Sequence, residues 1–148
     1  MLNIRTATLE DLPHIIKLIK RNNELLNENL ETLFNVKNPN EKCKFFVAEE
    51  KGQIVGYSRV HLYRWNNSAY VICLLADTES RRRGIGTALL MTMESYAKEN
   101  GSRVLMFDTR IDNFPALNLY FKNGFKICGY NDKLYENGKT ALYLFKEL

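Results

Sequence analysis

A chain of 148 residues, 45% hydrophobic and 26% charged, can bury one substantial core and is too short for two ordinary domains, so a single domain over 1–148 is expected. No run is long and charge-free enough to span a membrane, and the opening MLNIRTATLEDL has the character of neither a signal nor a transit peptide, which implies a cytoplasmic protein. The net charge of +4 falls short of a nucleic-acid-binding composition, and three scattered cysteines (Cys43, Cys73, Cys128) without C-x-x-C or clustered histidine support neither a disulfide framework nor a metal site.

Leu2 to Ala7 alternates like an edge strand. Thr8, Glu10 and Asp11 then supply helix-start chemistry, and Ile15, Ile16, Leu18 and Ile19 form an apolar helical face, with Pro13 blurring the first helical residue. A second helical stretch carries Leu25, Leu26, Leu30, Leu33 and Phe34 and gives way to the polar loop NVKNPNEK. Phe45 to Glu49 and Ile54 to Tyr63 read as strands joined at Lys51 and Gly52, and SAYVICLLA reads as a third strand whose unbroken apolar run suits burial on both faces.

Thr87 to Asn100 has broadly helical spacing and stops at Asn100-Gly101. Arg103 to Thr109 is a strand, Pro115 to Asn123 a short helix with proline near its start, and Phe125 to Tyr130 another strand. Asn137-Gly138 reads as a hairpin turn into TALYLF. The order β-α-α-β-β-β-α-β-α-β-β describes an α/β (α+β) fold, a mixed sheet with helices on its faces.

Between the third strand and the helix that follows it stands ESRRRGIGTALL, Glu79 to Leu90. A buried strand, a short polar turn and a helix beginning after Gly86 would aim unpaired backbone N–H groups at whatever occupies the turn, which makes an anion site. Gly84 and Gly86 permit close backbone approach, and Arg81, Arg82 and Arg83 add attraction and bidentate donors, so a phosphate group is the natural guest. Leu89 stands where a dinucleotide fingerprint needs its third glycine, and the G-K-[ST] of a P-loop is absent. Taken alone, the stretch is equally an ordinary glycine turn in a solvated arginine cluster.

With its flanks, Arg81-x-x-Gly84-x-Gly86 resembles the R/Q-x-x-G-x-G/A acetyl-coenzyme A motif of the GNAT superfamily of N-acetyltransferases. Downstream, NFPALNLYFKNGF resembles that family's N-x-x-A-x-x-x-Y-x-x-x-G-F segment at Asn113, Ala116, Tyr120, Gly124 and Phe125. The element order fits along nearly the whole chain. The resemblance implies a mostly antiparallel mixed sheet of about seven strands flanked by about four helices. It implies acetyl-coenzyme A as co-substrate, with the diphosphate cradled by backbone amides from Arg82 through Gly84, Ile85 and Gly86 to Thr87. It implies that the third strand splays from its neighbour around Leu74 to Ala76, whose main chain binds the pantetheine arm and polarises the thioester carbonyl; such a donor is typically worth roughly 10²–10³ in rate. Asn113 would hold the pantetheine, and Tyr120 would protonate the departing thiolate.

An amine with a lysine-like pKa of about 10.4 is almost wholly protonated at physiological pH, so transfer needs a base or a water relay. Some members, the ribosomal-protein N-terminal acetyltransferases among them, carry a glutamate base in L-E-x-R-x-x-N. The similar stretch FDTRIDN places Asp108 there, one methylene shorter, in step with Arg110 and Asn113. A water relay and a merely structural aspartate are the alternatives, and Glu79 is a weaker candidate. His61, Tyr63, Arg64 and Trp65 form either an aromatic wall for the acceptor or an exposed turn. Cys73 as a covalent relay is disfavoured, since it lies in an apolar strand without a histidine neighbour.

The expected activity is direct transfer of acetyl from acetyl-coenzyme A to a primary amine in a ternary complex. The acceptor would be a protein N-terminus, a small polyamine-like metabolite or an aminated antibiotic, the last because the coenzyme half is also similar to streptothricin acetyltransferases. No metal, nucleic acid or membrane is implied, and a homodimer stays open. The competing reading is a non-catalytic acyl-coenzyme A sensor or scaffold.

Overall fold

The computed structural model describes residues 1–22, 41–80 and 83–148. Its framework is one seven-stranded sheet. β1 (Leu2–Thr6), β2 (Glu41–Glu50), β3 (Gln53–Tyr63) and β4 (Ser68–Ala76) run antiparallel in succession. β4 then meets β5 (Val104–Arg110) in parallel, and β7 (Ala141–Glu147) runs antiparallel between β5 and β6 (Lys126–Asn131). The order across the sheet is therefore β1-β2-β3-β4-β5-β7-β6, with a single parallel contact.

Helices cover both faces. α1 (Leu12–Arg21) buries Leu12, Ile15, Leu18 and Ile19, one stripe at helical spacing, against Phe45, Val47, Tyr57 and Leu75. α2 (Ile85–Glu99) buries Ile85, Leu89, Leu90, Met93 and Ala97 against Phe46, Ala48, Val60, Val71 and Leu105. Phe45, Phe46, Val47 and Ala48 thus send alternate side chains into two cores, which is why β2 reads as continuously apolar. α3 (Phe114–Lys122) adds Leu117 and Tyr120 to the α2 side.

Among the described residues there are three α-helices, and the helix expected over Leu25 to Phe34 lies outside them. Pro13 sits in the first turn of α1, where a missing N–H costs nothing. Asn100 and Asn123 close α2 and α3 as expected.

Three boundaries differ from the sequence reading. α2 starts at Ile85 rather than after Gly86, because Gly84 in the left-handed region caps it and Gly86 is accommodated in its first turn. β2 begins at Glu41 rather than Phe45, because β3 offers partners as far as Tyr63 (Glu41↔Tyr63, Lys42↔Leu62) and pairing overrides the polar composition. Asn137-Gly138 does turn the chain, but within a connection over 132–140 rather than a two-residue hairpin. That connection is held from inside, by Thr140 Oγ1 to Asp132 Oδ1 (2.8 Å) and by the Lys139 N–H to Asn137 Oδ1 (2.9 Å). No helix among the described residues is long and apolar enough to cross a membrane.

Candidate active site

The parallel contact of β4 with β5 lasts only through Ser68↔Val104, Ala69↔Leu105 and Tyr70↔Met106. The cause lies on the other edge of β4. Val60 pairs with Val71 but Arg59 pairs with Cys73, so Ile72 is an extra residue, and a bulge of this kind bends and twists its strand. β5 meanwhile stays paired with β7 as far as Arg110↔Ala141. The two strands part, and from Val71 to Ala76 one backbone edge of β4 has no strand partner among the described residues. The parting starts earlier than the Leu74 to Ala76 expected from sequence.

The gap is a cleft of about 640 Å³, within the usual range for small-molecule sites, walled by Leu74, Ala76, Phe107, Asn113, Leu119 and Tyr120 and reaching Gly84, Ile85, Gly86 and Thr87 at the start of α2. Here the helix mouth is open. Gly84 is its N-cap, in the left-handed region at φ 78°, and has no side chain to offer a capping bond. The first helical bond runs from Ala88 N–H to Gly84 O (3.0 Å), so the amides of Ile85, Gly86 and Thr87 precede the helical ladder. A Cβ on Gly86 would sit 3.2 Å from Leu119 Cδ2.

A glycine outside the motif sets the height of that mouth. A Cβ on Gly56 of β3 would come within 2.7 Å of Ile85 Cγ2 and 3.0 Å of Leu89 Cδ1, so its absence lets the first turn of α2 settle onto the sheet. Arg83 is exposed and its guanidinium pairs with Glu50 at the end of β2, sharing its charge with a carboxylate. Arg81 and Arg82 lie outside the described residues.

Tyr120 is fully buried in the cleft wall. Its ring stacks on Phe107 and meets Phe125 edge-on, and its hydroxyl has no hydrogen-bond partner among the described residues. Burial, with smaller contributions from Cys73 and Asp108, raises its pKa well above that of an ordinary tyrosine, so it stays a neutral O–H donor. Asn113 caps α3, its Oδ1 accepting from the Ala116 N–H at 3.4 Å, and also lines the cleft.

Asp108 follows Phe107 in β5 and therefore takes the opposite face of the sheet. There it is bracketed by two phenols: the Tyr70 hydroxyl donates to Oδ2 (2.6 Å) and the Tyr135 hydroxyl to Oδ1 (2.8 Å). Burial first, then the hydrogen bond to Asp108, pushes both tyrosines above their usual pKa, so both remain donors. Glu79 lies exposed in the short 3-10 turn Thr78–Ser80. His61 and Tyr63 stack at 4.8 Å on β3, while Trp65 is 81% exposed in the turn beyond.

A sequence profile of the acetyltransferase (GNAT) family matches residues 9–125. The chain belongs to that family. The acetyltransferase is 36% identical to an N-alpha-acetyltransferase of Sulfurisphaera tokodaii, over 93% of this chain and 88% of the relative. Its fold superimposes on a ribosomal-protein-alanine N-acetyltransferase from Brucella melitensis with a TM-score of 0.83 and 26% identity, covering 99% of both chains. A putative streptothricin acetyltransferase from Bacillus anthracis, solved in complex with acetyl coenzyme A, matches in fold with a TM-score of 0.82 at 23% identity, over 100% of this chain and 99% of that one. The protein is thus an acetyl-coenzyme A-dependent N-acetyltransferase.

Sequence reasoning named the cleft's loop and the residues of its β5–α3 wall, and missed several supports. Gly56 and Tyr70 sit in strands whose apolar runs conceal them, and Tyr135 sits in a connection whose reach depends on the fold. Phe107 was visible only as one more strand residue.

Proposed function

We propose that this acetyltransferase acetylates a primary amine in a ternary complex, with the coenzyme in the β4–β5 cleft and the amine arriving on the Asp108 side. The observation that carries the reading is the Tyr120 hydroxyl: a buried donor without a partner among the described residues, in the wall of a cleft that ends at an open helix mouth. Such a group fits a ligand that brings its own acceptor.

Acetyl-coenzyme A supplies an electrophilic thioester carbonyl, and the remaining tasks fall to the chain. The amides of Ile85, Gly86 and Thr87, with Arg81 and Arg82, grip the diphosphate. The unpaired edge of β4 around Leu74 and Ala76 binds the pantetheine arm and polarises the carbonyl, with Asn113 steadying the arm from across the cleft. Tyr120 donates its proton to the departing sulfur, which its raised pKa keeps available across biological pH.

The incoming ammonium has to lose a proton before it attacks. Both Asp108 oxygens accept from a phenol, which supports a relay: the Tyr70 hydroxyl accepts the proton while passing its own to Oδ2, 2.6 Å away. A relay answers the short reach of an aspartate at this position.

The α-amino group of a polypeptide is the acceptor favoured by the relatives, one named an N-alpha-acetyltransferase at 36% identity and another a ribosomal-protein-alanine N-acetyltransferase at 26%. The test is a panel of short peptides with free and blocked N-termini, polyamines and aminated antibiotics, incubated with acetyl-coenzyme A. Thiol release together with acetyl located on the α-nitrogen by mass spectrometry supports the reading. Tight coenzyme binding with no turnover on any amine would replace it with a sensor.

A further inference from the structure

The described residues of the loop that has to present the helix mouth to a diphosphate have little packing of their own. Thr78, Glu79, Arg83 and Gly84 are exposed. What fixes its entry is a set of bonds to two residues at its start. The Asp77 N–H donates to Val55 O (2.8 Å), and the Asp77 carbonyl accepts from the Ser80 N–H (2.9 Å). The other bonds come from the far face of the sheet, from the last residue of α1 and its C-cap. Arg21 Nη2 donates to Asp77 Oδ2 at 2.6 Å, and Asn22 Oδ1 accepts from the Thr78 N–H at 3.0 Å. Asn22 is itself aimed by Nδ2, which donates to Leu18 O at 2.9 Å.

Stability does not explain this arrangement. Asp77 is only 4% exposed, and its second oxygen, Oδ1, is buried with no hydrogen-bond partner among the described residues. A carboxylate this buried gains little net stability from an ion pair, since desolvation offsets much of the attraction to Arg21. A neutral or apolar pair would serve a purely structural joint better.

We infer that Arg21 and Asn22 are positioning residues for coenzyme binding: through Asp77 and Thr78 they set the point at which the chain leaves β4, and so where the Gly84 to Thr87 amides stand. This rests on the acetyltransferase reading of the cleft, and deepens it by assigning control of the phosphate grip to a helix on the opposite face.

Coenzyme A titrated calorimetrically into wild type, Arg21→Met, Arg21→Lys, Asp77→Asn and the Arg21→Met/Asp77→Asn double variant tests it. Loss of one charge-assisted orienting bond should weaken coenzyme A roughly tenfold in Arg21→Met and in Asp77→Asn. Arg21→Lys should recover part of the loss, and the double variant should be no weaker than Arg21→Met, because both changes break one pair. In turnover the KM for acetyl-coenzyme A should rise while the acceptor KM holds, a split that general loosening would not produce. If burying an unpaired Asp77 stops Arg21→Met from folding, Asp77→Asn and the double variant decide, since neither leaves a lone carboxylate. Folded variants that bind coenzyme A within twofold of wild type overturn the inference alone. A wild type that does not bind coenzyme A overturns the reading of the cleft as well.

Discussion

Tyr120 lies face to face on Phe107, with 3.8 Å between ring centroids and 3° between planes, while Phe125 meets it edge-on at 4.8 Å. The ring is fixed by packing, so the hydroxyl is not needed to hold it. Tyr120→Phe should therefore keep the fold and the coenzyme affinity while lowering kcat about 10²-fold, the usual scale for losing a positioned general acid. Its urea midpoint should equal or exceed that of wild type, because the lost hydroxyl has no partner among the described residues. Undiminished turnover in this variant removes Tyr120 from the proton path.

The bracketing of Asp108 by Tyr70 and Tyr135 separates a relay from a direct base. Tyr70→Phe and Asp108→Asn should each lower kcat about 10- to 100-fold at neutral pH. Both deficits should shrink as pH rises toward the amine's own pKa, where the acceptor is neutral without help. Tyr135→Phe should cost less, since Tyr70 still meets Oδ2. pH–rate profiles of the three variants check this, and a Tyr70→Phe profile that overlays wild type excludes the relay.

Gly56 and Gly84 shape the helix mouth by different means. Gly84→Ala strains a left-handed position, at a cost of roughly 1–2 kcal/mol, without filling any occupied space. Gly56→Ala leaves the backbone unstrained but drives a methyl into Ile85 and Leu89, lifting the first turn of α2. Both should raise the KM for acetyl-coenzyme A several-fold. Ile85→Ala added to Gly56→Ala, which removes the Cγ2 methyl in closest contact, should recover more affinity than Leu89→Ala added to it. Coenzyme A calorimetry on these variants reads the effect directly.

These cases show which parts of the site a one-dimensional reading can reach. The Gly84-x-Gly86 turn and the Asn113 to Phe125 segment are contiguous and chemically distinctive, so their spacing alone locates them. The parting of β4 from β5 was expected from family likeness, but its cause, the extra residue Ile72, is hidden in SAYVICLLA because a strand buried on both faces has no alternation to break. Gly56 is equally silent, its meaning residing in the 2.7 Å to a helix that begins 29 residues later. Arg21, Asp77, Tyr70 and Tyr135 act across the sheet, through pairings that exist only once strand order is fixed.

Arg5 and Asp11 make the acid limb of stability predictable. Arg5 forks onto both Asp11 oxygens (Nη1–Oδ2 2.7 Å, Nη2–Oδ1 2.9 Å) and reaches Glu49 through Nε (3.1 Å), tying β1 and β2 to the turn that starts α1. The hydrogen bonds from Arg5, outweighing the desolvation that opposes them and helped by the Thr8 N–H, lower the Asp11 pKa from its ordinary 3.8 to about 2. A carboxylate whose pKa is depressed on folding contributes stability that is complete above its unfolded value and is lost as pH falls through its folded value. The contribution is about 2 kcal/mol, present above about pH 4 and gone by about pH 2. Urea midpoints measured between pH 5 and pH 2 should fall in wild type across that window. In Asp11→Asn the fall should be shallower and the starting stability lower, and Arg5→Met should behave likewise. An Asp11→Asn slope identical to wild type would mean that other carboxylates carry the acid dependence.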